Sequence, residues 1–449
     1  MITGFLKKWY GDFTKKELEH YLFLGLIFSL LLGIYWTLRP LKDTIFASLV
    51  VGFGKSGVGR ETFLAWAKVI SMLILFPVVG IYGKMVDKFK DAKYKFLYLL
   101  ASFYGVSMLA WAFFFASPWG LQDDVASYYR IGGWLWYVFV ESFGSLVIAL
   151  FWAFVVDIST SESAKKGFSL IVMIGQIGGI LMPRYLPMLP EILGTTVYPL
   201  VALCGVLVFV VVGMLMKFVS TLPKAELKVT KKEKNEEEPG FLEGLKLMLS
   251  NGYLLGIFAV LSFFELITTI IDFNFKSLVF SQFTTAVEAT KYLGWYGSSV
   301  NLVAFIFLAL GMNNISRWLG IRTALALVPV CLGVSVWMFK LYPIVDVLAY
   351  LMIASKAINY ALNGPALKQL YVPTSDAAKY KSQAWIETFG SRGAKAGASF
   401  INLNKGMFGA FYMSICVYFS LGLIAAWFLI AIYLGNTYVK AIKEKRIVC

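Results

Sequence analysis

Runs of about 20 apolar residues recur along the whole chain, and a helix of about that length crosses the hydrocarbon core of a bilayer. Measured against that length, the sequence holds about twelve candidate spans. They lie near residues 21–38, 62–83, 96–116, 133–156, 168–189, 197–219, 253–275, 292–312, 319–339, 342–363, 383–403 and 411–434. Hydrophobic residues make up 59% of the 449 and charged residues only 15%, with a mean hydropathy of +0.72. That balance excludes a soluble globular protein, a disordered chain and a disulfide-stapled module. Backbone polar groups in lipid must be satisfied within their own segment, so spans of this length are helices. The expected fold class is therefore an all-α polytopic membrane protein of about 12 transmembrane helices. The first run begins at Tyr21 after a segment of mixed charge, and no small-x-small site follows it. It reads as a retained span, not a cleaved signal. The eleventh run is the weakest, because it carries Glu387, Arg392 and Lys395; the fifth is weakened by Gln176, Pro183 and Arg184.

The net charge is +15, from 41 Lys and Arg against 26 Asp and Glu. Sorted by position, most of the cations cluster in alternate loops. Lys7, Lys8, Lys15 and Lys16, then 84–95, Lys165 and Lys166, the lysine-rich 224–234, Arg317, Arg322 and 440–446 would share one side. The positive-inside rule then places both termini in the cytoplasm, and the excess charge needs no nucleic-acid partner. The longest polar stretch divides the chain into a six-helix half at 1–219, a cytoplasmic linker at 220–250 and a second six-helix half at 251–449. Gly83, Asp87 and Lys88 after the second span resemble the short G-x-x-x-D-[RK] loop motif of the major facilitator superfamily. Gly311, Arg317 and Arg322 after the eighth repeat it in degenerate form. Equivalent loops in both halves imply a parallel six-plus-six repeat.

Ionisable groups at membrane depth are expensive and mark function by default. The spans carry Arg39, Lys42 and Asp43, Lys68, Glu141 and Asp157, Glu265, Asp272 and Lys276, Asp346 and Lys356, then Lys381, Glu387, Arg392 and Lys395. Lys68, Asp157, Asp346 and Lys356 read as ion pairs or snorkelling residues. Arg39 and Lys42 are three apart and share a helix face, and Arg392 with Lys395 repeats the spacing. Cationic faces of this kind suit a polyanion, because Arg forks match phosphate oxygens and Lys adds point charges. Enzyme chemistry has little support. The chain has one histidine, His20, and four cysteines without CxxC spacing, so neither a metal site nor a cofactor is expected. Gly52 to Gly57 imitates G-x-G-x-x-G and the tail of a P-loop, but it follows a hydrophobic span, and the P-loop's first Gly would fall on Leu49.

Four segments resemble the nucleotide transport proteins of plastids and obligate intracellular bacteria, the ATP/ADP translocase type. YWTLRPLKDT resembles that family's Y-T-x-L-R-D-T-K-D, with Tyr35, Leu38, Arg39, Lys42 and Asp43 in register, and the KSGVGRETFLAWAK loop that follows is similar to the family's own. VESFGSLVIALFWAFVVDISTSESAKK resembles the segment holding A-E-L-W-G-S-V and F-W-x-F, matching Glu141, Gly144, Ser145, Phe151, Trp152, Phe154 and Lys165. IIDFNFKSL resembles L-V-E-V-T-W-K-S, with Asp272 for the family's Glu and Lys276 kept. GPALKQLYVP and KSQAWIETFGSRGAKAGA resemble the last motif pair through Pro365, Tyr371, Pro373, Lys381, Ile386 and Lys395. Pro40, Gly364 and Leu367 depart from the pattern.

The resemblance implies transport-critical charges at Lys42, Glu141, Asp272 and Lys381. The expected protein is a major facilitator type carrier, most simply an ATP/ADP exchanger in the inner membrane of an intracellular bacterium, working by alternating access as a monomer. Arg39, Lys42, Lys381, Arg392 and Lys395 would hold phosphates. Glu141, Asp272 and Lys276 would balance charge or carry a coupling ion, with a proton or phosphate as possible co-ion. Tyr35 and Trp36 could stack the base. The alternatives are a proton-coupled nucleotide importer, a carrier of another nucleotide or NAD, and an unrelated organic-anion carrier.

Overall fold

The computed structural model describes the chain except residues 1–13, 55–58, 90–91, 123–124, 160, 224–240, 310–314, 376–377, 379–381 and 449; side chains at 87, 161–166, 241–244, 308, 315–319, 361, 365, 384 and 388–389 are also outside the description. Among the described residues every regular element is helical. The long helices are α1 (Lys15–Phe46, continuing as a π turn over Ala47–Val51), α2 (Thr62–Lys88), α3 (Lys93–Ala116), α4 (Ile131–Asp157), α5 (Ser161–Tyr185) and α6 (Tyr198–Thr221). A short α7 (Phe241–Ser250) precedes α8 (Gly252–Gln282), α9 (Ala286–Ala309) and α10 (Ile315–Leu341). Then come α11 (Val345–Ile358), a π turn at Asn359–Asn363, α12 (Gly364–Leu370), α13 (Ser391–Leu403) and α14 (Tyr412–Glu444).

Nine helices among the described residues are long and apolar enough to span a membrane. The eighth, tenth and eleventh expected spans are helical over most of their described residues, but fall outside those nine. α9 runs through a Gly- and Ser-rich stretch, α11 ends after 14 residues in a π turn, and the eleventh is assembled from Gln383–Trp385, a π turn at Ile386–Gly390 and α13. Several helices outrun the apolar segments read from sequence. α1 begins at Lys15, where Thr14 Oγ1 accepts from the Glu17 amide (3.2 Å) and Glu17 Oε2 accepts from the Thr14 amide (2.9 Å). Such a capping box starts a helix before its apolar stretch. The Lys224–Gly240 part of the expected linker and residues 311–314 of the second loop motif lie outside the described residues.

The chain divides into two compact units. The first comprises Met1–Arg60, Leu73–Lys232 and Phe280–Phe305; the second comprises Glu61–Met72, Glu233–Val279 and Ile306–Cys449. Within the first, α1 packs along α5. A Cβ on Gly178 of α5 would stand 1.8 Å from the Ser29 carbonyl oxygen of α1, so only glycine fits. Small residues at helix contacts are the usual means of close approach in lipid, where apolar burial gives no preference for a neighbouring helix. α9 joins this unit by the same means: a Cβ on Gly294 would lie 2.2 Å from the Pro183 carbonyl oxygen, and Ser298 Oγ donates to the Ile180 carbonyl (2.7 Å). The second unit pairs α10 with α14, where Gly435 lies against Arg322. There Tyr253 also donates to the Leu370 carbonyl (2.8 Å), tying α8 to α12.

Candidate functional site

The first unit brings Arg39, Lys42, Asp43 and Glu141 together between α1 and α4, while Asp157 at the end of α4 pairs with Lys93 of α3 (2.8 Å). Pro40 leaves α1 without one amide donor, and the turns around it are braced by hydroxyls. Thr37 Oγ1 donates to the Gly33 carbonyl (2.8 Å) and Thr44 Oγ1 to the Pro40 carbonyl (3.0 Å). Lys42 is only 5% exposed, and its ammonium donates to Glu141 Oε1 on α4. It also lies 3.9 Å from Asp43 Oδ1 and 4.2 Å from the centroid of the Tyr137 ring. A buried ammonium is tolerated on these terms, with carboxylates beside it and an aromatic face beneath. The Glu141 side chain is 38% exposed, so the pair opens toward accessible space on its acidic side.

Arg39, one turn before Lys42, lies over the rings of Trp36 (4.8 Å) and Tyr35 (5.8 Å). Tyr35 in turn rests on α4 because Gly144 has no side chain; a Cβ there would be 2.4 Å from Tyr35 Cε2. Thus Tyr35, Trp36, Arg39, Lys42 and Glu141 form one constellation, and both rings engage the Arg39 guanidinium.

The second unit builds its charged cluster on α8. Asp272 Oδ2 accepts from Lys276 one turn later (2.9 Å) and from Lys68 of α2 (3.0 Å), and Lys356 of α11 adds its field. Glu265 lies seven residues before Asp272, two turns along the same face. Its Oε2 is 3.4 Å from Lys395 Nζ of α13, and its Oε1 accepts from Ser391 Oγ (3.1 Å). Arg392 is half-buried on the same helix as Lys395. Lys381 lies outside the described residues. Lys405 pairs with Glu61 at 3.6 Å.

Spacing alone could have found the Asp272–Lys276 pair, because residues four apart face one another on a helix. Lys68 forms the ion pair that its depth in a span predicts, but its partner is 204 positions away and no local pattern points to it. Glu61 with Lys405 and Tyr137 beneath Lys42 carried no sequence signal. Both clusters present ammonium groups held by carboxylates. Such groups bind anions and repel metal ions, so the arrangement can exchange an internal carboxylate for a phosphate oxygen.

A family model described as the TLC ATP/ADP transporter matches residues 5–438. The chain is 23% identical to ADP,ATP carrier protein 4 of Rickettsia conorii over 440 residues, covering 86% of this chain and 84% of the relative. It is 24% identical to ADP,ATP carrier protein 3 of Rickettsia bellii over 456 residues, covering 86% and 87%. Among solved structures it is similar to a bacterial homologue of the iron transporter ferroportin, at TM-score 0.63 and 14% identity over 94% of this chain and 100% of that one. It is also similar to the nucleoside transporter NupG, at TM-score 0.57 and 15% identity over 93% and 99%. At these identities the likeness carries the fold, which is of the major facilitator type.

Proposed function

This chain belongs to the TLC ATP/ADP transporter family, and we propose that it exchanges ATP for ADP across a bacterial inner membrane by alternating access. The observation that carries the reading is the pair of charged clusters inside membrane-spanning helices, each holding lysine against carboxylate. Glu141 and Asp43 hold Lys42, and Asp272 holds Lys68 and Lys276. An arriving polyphosphate competes with these carboxylates for the same ammonium groups. Arg39, Lys42, Lys381, Arg392 and Lys395 are the phosphate-binding candidates of this reading. Tyr35 or Trp36 leaves Arg39 to stack on the base. Asp272 faces Lys68, Lys276 and the field of Lys356, so the second cluster keeps excess positive charge when no substrate is bound. Occluding that charge is costly, so the loaded carrier switches and the one stripped of substrate does not. Both termini face the cytoplasm in this reading, and residues 1–219 and 251–449 form the two halves.

A second reading is favoured by the exposure of Glu141. An accessible carboxylate can take a proton, release Lys42 and let the carrier work as a proton-coupled importer. Uptake of labelled ATP into intact cells of a bacterial expression host, with unlabelled nucleotides as competitors, tests the substrate class. ADP and ATP should compete strongly, and nucleosides and sugar phosphates should not. Competition by sugar phosphates as strong as by ADP would overturn the nucleotide assignment.

A further inference from the structure

The end of the chain builds a further cationic site, which shares no residue with the charged clusters on α1, α4 and α8. α14 presents Tyr433, Asn436, Thr437 and Lys440 at spacings of three, four and seven, which is one helix face. Opposite them stand Asn251, Gly252 and Tyr253 at the start of α8, and Arg446 and Val448 beyond the end of α14 complete the wall. These residues line an open cavity of about 470 Å³, and among the described residues no acidic side chain lines it.

The tail that supplies Arg446 is fixed in place. Lys445 turns left-handed at φ 49°, the Arg446 amide donates to the Ala441 carbonyl (3.0 Å), and the Val448 amide donates to the Pro373 carbonyl (2.8 Å). Asn251 joins the tail to α8. Its amide group donates to the Val448 carbonyl (3.5 Å), while its Oδ1 accepts from the Tyr253 amide (2.9 Å). Gly252 keeps the floor open, since a Cβ there would meet only the Tyr433 hydroxyl, at 3.7 Å.

An ammonium, a guanidinium fork, a threonine hydroxyl and an asparagine amide around one concavity suit a phosphate that carries further hydroxyl groups. The residues beside the lining decide where that phosphate comes from. Leu249, Leu255, Ile442 and Ile447 are exposed, and the Tyr433 ring is 49% exposed. Exposed apolar groups flanking a basic polar pocket at a helix end match the boundary between headgroups and acyl chains. A soluble anion would have no use for that rim.

We propose that this cavity binds the phosphodiester headgroup of an anionic phospholipid, with Lys440 and Arg446 on the phosphate and Thr437 and Asn436 on the headgroup hydroxyls. With both termini cytoplasmic, the lipid belongs to the inner leaflet. The proposal does not require that the carrier's substrate be a nucleotide.

The test uses the purified full-length carrier in neutral detergent, read by native mass spectrometry and by thermal melting. Phosphatidylglycerol should be retained about tenfold over phosphatidylcholine, as expected for two basic contacts. It should also raise the melting midpoint. The double variant K440Q/R446Q should lose both effects, and the charge-keeping K440R/R446K should preserve them. Equal retention of the two lipids by the unaltered carrier would overturn the proposal, whether or not the variants fold. So would an unchanged phosphatidylglycerol effect in a folded K440Q/R446Q. If instead inorganic phosphate or ATP protects the carrier through Lys440 and Arg446 and phosphatidylglycerol does not, the cavity is a soluble-anion site and the lipid assignment is wrong. Labelled ATP uptake by K440Q/R446Q separates this question from the nucleotide reading, which predicts that the substrate range stays the same.

Discussion

The charged clusters of the two units have opposite centres. In the first, one lysine lies between two carboxylates, Asp43 and Glu141, with Arg39 one turn away. In the second, one carboxylate, Asp272, takes two lysines on a single oxygen, with Lys356 adding to the field. The first cluster is balanced around a buried cation, whereas the second is rich in cations around a buried acid. Removing its central residue therefore does opposite things to each. The first is left with carboxylates facing one another, and the second is left with lysines facing one another.

Lys42→Ala has the largest expected effect. Breaking a buried pair by removing one partner costs about 3–5 kcal/mol, and here it also removes a phosphate-binding group. Labelled ATP uptake should fall by about 100-fold or more, with insertion unchanged in a membrane-fraction blot. Uptake near the unaltered level would take Lys42 out of the site.

Asp272→Asn should behave differently. Substrate becomes the main counter-ion for Lys68 and Lys276, so the half-saturating ATP concentration should drop while the maximal rate falls about tenfold. A rise in both parameters would contradict the cation-rich reading of the second cluster.

Lys68→Gln should act in the same cluster with a smaller effect, a fewfold loss of rate. Its combination with Asp272→Asn should fall short of the product of the two single effects, because both remove one pair. Strict multiplication of the two would show that the 3.0 Å contact does not couple them.

The smallest effect is expected at Lys395→Ala. Its side chain is 50% exposed and stands 3.4 Å from Glu265, so both this pair and its contact with a phosphate are screened by solvent and contribute about 1 kcal/mol or less. Uptake should change by less than about fivefold. A loss as deep as that of Lys42→Ala would place Lys395 at the centre of the second cluster in place of Asp272.

What could be read in the sequence follows the reach of its signals. Apolar length predicts the helices, and caps such as Thr14 with Glu17 carry them past their apolar segments. Expense at membrane depth singled out Lys42, Glu141 and Asp272, because a charge inside a span is visible without knowing its partner. Partners are visible only four residues away or less. Asp272 with Lys276 satisfies that condition, whereas Lys42 with Glu141 and Lys68 with Asp272 join different helices. The stacking of Arg39 on Trp36 was within local reach, yet aromatic residues beside a cation in a span read equally well as packing. The weakness of the eleventh span has a structural counterpart. Its Lys395 and Ser391 turn to Glu265, and a π turn at Ile386–Gly390 precedes them.

Exchange is the central claim, and liposomes containing the purified carrier test it most directly. Labelled ATP would be offered outside vesicles preloaded with ADP and outside matched vesicles loaded with buffer. Uptake should be strong in the first and close to background in the second, because the stripped carrier does not switch. Equal uptake in both would contradict exchange and assign the protein to net import.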